Sequence, residues 1–103
     1  MRAVVVWTTV PDARFARKIA RALVEKKLAA CVSFREGFES VYRWKKKIEC
    51  VSETLLIIKT SKEKLGLLEK AVRAAHPYEV PEFLAVEASG SKKYLSWIQG
   101  SLK

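Results

Sequence analysis

The chain has 103 residues, half of them apolar and 30% charged, and its 20 Lys and Arg against 11 Asp and Glu give a net charge of +9. That length suits one domain, residues 1–103, with a single core that needs no disulfide staples. No apolar run approaches the ~18 residues of a membrane-spanning helix, and there are no repeats or low-complexity stretches, so a soluble globular class is expected.

The charge is lopsided: residues 1–51 hold 12 basic and 5 acidic groups, residues 52–103 hold 8 and 6. Such a field favours polyanions without naming one. Cys31 and Cys50 are too few for a disulfide framework and form no C-x-x-C. The start, MRAVVVWTTV, lacks a full apolar signal core and a cleavage site and reads as a first strand. A cytoplasmic protein with two free thiols is expected.

AVVVWTTV (3–10) is continuous and β-branched, as a central strand covered on both faces is. Thr9 is placed to cap the next helix, with Pro11 and Asp12 suited to its first turn. That helix is expected over about 12–27. Phe15, Ile19, Ala22 and Leu23 form its apolar stripe, and Arg14, Arg17, Lys18 and Arg21 its solvated side. Arg21 can pair with Glu25 one turn on.

LAACVSFR (28–35) alternates as a strand, Glu36-Gly37 gives a turn signal, and ESVYRW (39–44) is a second strand with Tyr42 and Trp44 on one side. Lys45-Lys46-Lys47 interrupts it. A third middle strand resumes at Ile48 and ends in Leu55-Leu56-Ile57-Ile58, so the middle reads as a meander of two hairpins. Thr60-x-x-Glu63 is a capping box for a helix with Leu65, Leu68, Val72 and Ala75 on its core face. Gly66 weakens that helix by about 1 kcal/mol relative to Ala. His76 ends it, because the residue before a proline avoids the α region. EFLAVEA (82–88) is the last strand. Ser89-Gly90-Ser91 then opens a short helix with Tyr94, Leu95, Ile98 and Leu102 inward.

The order β-α-β-β-β-α-β-α predicts an α+β fold, the ferredoxin-like sandwich with an antiparallel sheet and long hairpins, when the middle strands act as one set within a βαββαβ frame. Two helices cover one face of such a sheet and leave the other bare. Long strands carrying aromatics and open edges call for a neighbour, so a homo-oligomer is expected.

Little in the chain points to catalysis, and no enzyme is expected. There is one histidine, and no G-x-S-x-G, Walker loop or dinucleotide fingerprint. A Cys31–His76 pair has no third group to orient it. Acylphosphatases share the element order and need a phosphate-cradling loop near the first strand; TTVPDAR has no glycine and carries Asp12 there. The RNA-recognition motif also shares the order, and the charge suits it, but SETLLIIKT lacks the stacking aromatics of its third strand. An RNA-binding βαββαβ module with a basic surface is the alternative reading. Lys45-Lys46-Lys47 reads as a solvated hairpin tip.

HPYEVPE (76–82) holds the only histidine between two backbone-stiffening prolines. His76 with Glu79 and Glu82 nearby suits a borderline divalent ion such as Cu²⁺ or Zn²⁺. A helix-to-strand connector, with His76 capping the helix C-terminus, accounts for the same residues. A second spaced His or Cys, which would make the metal signal strong, is absent.

LAACV (28–32), SVYRWKKKIE (40–49), LLIIKTS (55–61), HPYEVPE (76–82) and YLSWI (94–98) together resemble, in order and spacing, the CutA divalent-cation tolerance family. The likeness covers nearly the whole chain, and HPYEVPE combined with Y-x-W-x-x-x-I is its most specific part. The resemblance implies a ferredoxin-like fold similar to PII proteins, a homotrimer built by strand pairing between subunits, and a non-enzymatic link to divalent-cation tolerance, copper above all. It implies a site in the intersubunit cleft, with His76 and Glu79 as candidate metal ligands and Tyr78, Tyr42, Trp44 and Lys59 lining the cleft or the subunit contact. Copper-binding members can carry a Cys where this chain has Thr8 and a second His where it has Ala75. The family's hairpin turn usually has glycine where Lys46 stands. The positive charge suits a small anionic ligand, by analogy with PII proteins.

Overall fold

The structure, a computed structural model, describes residues 1–103. In chain order it comprises β1 (Ala3–Val10), α1 (Ala13–Glu25), β2 (Cys31–Trp44), β3 (Lys47–Ser61), a 3₁₀ turn (Lys62–Lys64), α2 (Leu65–Ala75), β4 (Leu84–Ala88) and α3 (Lys92–Ser101). The four strands form one sheet in the order β2-β3-β1-β4, with every neighbouring pair antiparallel. This is the α+β, ferredoxin-like βαββαβ sandwich, with α3 appended.

The middle of the chain holds two strands, where three were expected. Glu36-Gly37 is a bulge inside β2, not a turn. Arg35 stands opposite Leu55 and Phe38 opposite Glu53, so β2 spends one extra residue there, with Gly37 at φ 85°. The two expected hairpins are therefore one long hairpin. Its tip is a two-residue turn between the paired Trp44 and Lys47, with Lys45 at φ 49° and Lys46 at φ 70°. Positive φ at both central residues is the primed turn that matches strand twist. The turn thus keeps this geometry without glycine, at a cost of roughly 1 kcal/mol for each side chain held left-handed.

β1 pairs with β3 only from Thr54 to Ser61. The rest of β3 and the distal half of β2 pair with each other alone and project from the sheet, which stretches the chain to 44 × 24 × 23 Å.

α1 and α2 lie on one face. Val4, Val6 and Val10 of β1 and Leu56 and Ile58 of β3 meet Ala16, Ile19 and Leu23 of α1 and Leu68 and Val72 of α2. The stripe of α1 starts at Ala16 and includes Ala20, whereas Phe15 is 36% exposed. The spacing i, i+3, i+4, i+7 is met from Ala16, and small alanines let helix and sheet approach closely. Asp12, not Thr9, is the N-cap, accepting from the N–H groups of Arg14 and Phe15. Arg21 pairs with Glu25 as expected, at 2.9 Å.

Thr60 forms no capping box. It lies fully buried in β3 and donates its hydroxyl to the Leu28 carbonyl at 2.7 Å, which pins the α1–β2 loop to the sheet. Ala75, expected in the core, is exposed at the end of α2.

On the opposite face α3 covers one end, where Ile98 and Leu102 pack on Ala3 and Ala30. Tyr94, expected inward, is 43% exposed and stacks on Trp97. Beyond α3 the face is open: Val5, Trp7, Leu55 and Ile57 are half-buried, and Leu84 and Val86 of β4 are exposed. The bare face expected from a two-helix cover is therefore present over much of the sheet. No helix is long and apolar enough to cross a membrane.

Candidate functional site

The proline-stiffened segment 76–82 enters from the end of α2. His76 adopts extended backbone (φ −84°, ψ 136°), as a residue before proline must, and the helix stops there. Its ring does not cap α2. It turns into the sheet and is only 8% exposed. Nδ1 accepts the Tyr78 N–H at 3.1 Å, which assigns the ring proton to Nε2. Nε2 donates that proton to the Thr9 carbonyl at 2.7 Å. The imidazole thereby ties the segment to the end of β1.

This anchor aims Tyr78. Its ring lies 4.8 Å from that of His76, and its hydroxyl donates to Glu53 Oε2 at 2.8 Å. Burial first, then the hydrogen bond and charge of Glu53, then Tyr42, push the Tyr78 phenol well above its ordinary value. Glu53 stands on β3 beside the bulge and is 5% exposed. The ion pairs of the chain are Arg2–Glu87, Lys62–Glu87 and Arg21–Glu25, so this buried carboxylate has no cation beside it.

Segment 77–82 and the projecting hairpin face each other across a cavity of about 760 Å³. Thr9 and Glu53 lie at its base. Ser40, Val41, Tyr42 and Trp44 form one wall, and Pro77 to Glu82 the other. Three glutamates line it, and no Lys, Arg or His does. The structure thus brings Tyr42, Trp44, Tyr78 and Glu79 together, with Glu82 beside them. His76 stands behind the wall and contributes no free ring nitrogen.

Lys59 is not among the residues that line this cavity within one chain. It sits six positions along β3 from Glu53, roughly 20 Å at the rise of a strand. There its Nζ lies 3.1 Å from Ser33 Oγ and 3.8 Å from Cys31 Sγ. The two cysteines are free and do not meet, since Cys31 stands opposite Lys59 and Cys50 opposite Val41. Cys31 and His76, each with other partners, form no catalytic pair. The surface an RNA-recognition motif would use carries one aromatic from β1 and β3, Trp7.

Glu53, Thr9 and Ser40 are site residues that the sequence reading passed over. The signal for Glu53 was present: a carboxylate two positions before the apolar run of SETLLIIKT.

A copper centre finds little here. No group of three or more His, Cys, Asp or Glu side chains is close enough to hold a metal ion. Both ring nitrogens of His76 are spent. Thr8 is fully buried with an unpartnered hydroxyl, and Ala75 offers no ligand atom. The residues of one chain do not fit a high-affinity copper site.

A family model described as the CutA1 divalent ion tolerance protein matches residues 4–101. Protein CutA, chloroplastic, of Arabidopsis thaliana is 46% identical over 101 residues, covering 97% of this chain and 56% of that protein. The divalent-cation tolerance protein CutA of Thermus thermophilus is 45% identical over 96 residues, covering 92% of this chain and 93% of that one. The chain thus spans about half the length of the plant relative and nearly all of the bacterial one. The solved structure of the periplasmic divalent cation tolerance protein CutA from Archaeoglobus fulgidus superposes with a TM-score of 0.95 at 35% identity, covering 98% of this chain and 99% of that chain. Relatives thus carry chloroplastic and periplasmic names, and no one compartment follows from the likeness.

Proposed function

The chain belongs to the CutA1 divalent ion tolerance family, and from that membership we propose that it serves divalent-cation tolerance as a homotrimeric binding protein, not an enzyme, with a small ligand seated in the cavity between segment 77–82 and the hairpin. The observation that carries the reading is the cavity itself: about 760 Å³, stiff on one wall, floored by a buried carboxylate. Sites of roughly 300–1,000 Å³ with a few convergent polar groups are the usual form of small-molecule pockets. Copper tolerance is then served without a tight inner-sphere copper site on one chain. A divalent ion entering the cavity meets Glu79 and Glu82, both exposed.

Trimer formation is supported by the open face around Trp7 and Ile57 and by the outer edges of β2 and β4, which have no strand beside them within the chain. A second and third copy would cover these and close the cavity's mouth. A reducing, cytoplasmic setting suits the free Cys31 and the exposed free Cys50.

The test pairs light scattering with calorimetry. A trimer that takes up Cu²⁺ only weakly, with uptake reduced in Glu79→Gln, is the expected result. A monomer at micromolar concentration, or tight copper binding lost in His76→Ala, refutes the reading.

A further inference from the structure

We infer that the cavity selects an organic ammonium ion; the inference rests on the cavity reading above and names its ligand class. Glu53 is 95% removed from solvent by its 5% exposure, lines the cavity, and forms no ion pair. Its one hydrogen-bond donor is the Tyr78 hydroxyl, on Oε2, which leaves Oε1 free to accept. A positive ligand at Oε1 would pair a carboxylate that has no cation beside it within the chain. Glu79 and Glu82 on the wall formed by segment 77–82 add the same sign, and no basic side chain is among the lining residues. The chain's overall charge of +9 therefore does not describe this cavity, which is acidic inside a basic molecule. An anionic ligand fits it poorly.

The shape of the lining decides which cation. The carboxylates do not converge as metal ligands do, for no cluster of three donors exists. Tyr42, Trp44 and Tyr78 line the cavity with them, and the Trp44 ring already draws a cation, with Lys45 Nζ 5.7 Å from its centroid. Aromatic faces beside carboxylates attract a cation that is bulky and partly apolar, through the ring quadrupole. A hydrated metal ion gains little from such walls, whereas an alkylated ammonium gains on both counts.

The test is calorimetric titration of the intact protein with choline and n-butylammonium. The controls are 3,3-dimethylbutan-1-ol, which is the neutral carbon isostere of choline, inorganic phosphate, and Cu²⁺. Saturable binding of both ammonium ions is expected, with no uptake of the isostere or of phosphate. Glu53→Gln keeps an acceptor for Tyr78 and weakens choline by about tenfold or more. Trp44→Leu, on the exposed hairpin, weakens it by about threefold to tenfold and guards against a folding failure in the first variant. Equal binding of the isostere, or an unchanged affinity in both variants, overturns the proposal. Phosphate or Cu²⁺ saturating the cavity while choline does not overturns the ammonium class and spares the cavity as a binding site. Absence of binding by every probe overturns both.

Discussion

His76 was the residue that drew attention in the sequence, and its environment redefines what it does. One imidazole satisfies the Thr9 carbonyl and the Tyr78 N–H at once, so it organises a wall and offers no free ring nitrogen. Removing it in His76→Ala leaves the Thr9 carbonyl and the half-buried Tyr78 N–H without this partner, and a loss of about 2 kcal/mol in urea unfolding is expected. A loss under about 0.5 kcal/mol would show that the anchor is dispensable. Tyr78 gives a pH signature. Its folded value is raised, so its contribution to stability is complete below the unfolded phenol value near pH ~10 and is lost as pH rises beyond it. Tyr78→Phe should lack that part of the alkaline loss, read as a flatter unfolding midpoint between about pH 9 and 12. At neutral pH the same variant strands Glu53 without its donor and should be less stable by about 2 kcal/mol. The pairing of Tyr78 with Glu53 spans 25 positions, and nothing local in either segment announces the other. That is why the sequence showed the stiff wall and not the carboxylate it faces.

At the scale of elements, legibility followed how many structures a pattern permits. AVVVWTTV begins and ends as read, because a β-branched run flanked by Pro11 has one good solution. Glu36-Gly37 has two, since a left-handed glycine serves a turn and a bulge equally well, and only pairing with β3 chose the bulge. Thr60-x-x-Glu63 also had two uses for its hydroxyl, and the Leu28 carbonyl won it. The hairpin tip offers the clearest test. Lys46 is held at φ 70°, so Lys46→Gly should raise stability by about 1 kcal/mol, measured as a shift in the denaturation midpoint at constant slope. No gain would mean that the tip's strain is relieved in solution by another turn geometry.

For the whole molecule, the sheet is dressed on one side and half bare on the other. The helical face was foreseeable from spacing alone, although its stripe began one residue later than the bulky Phe15 suggested. The bare face was foreseeable too, because two crossover helices cannot cover both sides. The number of copies that would cover it is a matter for measurement. Trp7→Glu places a charge at the centre of that face and should shift light scattering from the proposed trimer toward monomer, with the helical signal retained. A wild-type-sized particle from that variant would remove the face from the contact.

The hairpin's outer half has a further consequence. It is a two-stranded ribbon held by its own ladder, because β1 stops at the Thr54 pairing. Two-stranded ribbons are marginal by themselves, so wherever no neighbouring copy pairs with the edge of β2, amide exchange in residues 38–52 should be fast compared with β1. Anything that bridges the ribbon to the proline wall borrows rigidity from the wall and slows that exchange. Deuterium uptake there would then report occupancy without any label on the occupant, and would betray a guest that copurifies before its identity is known.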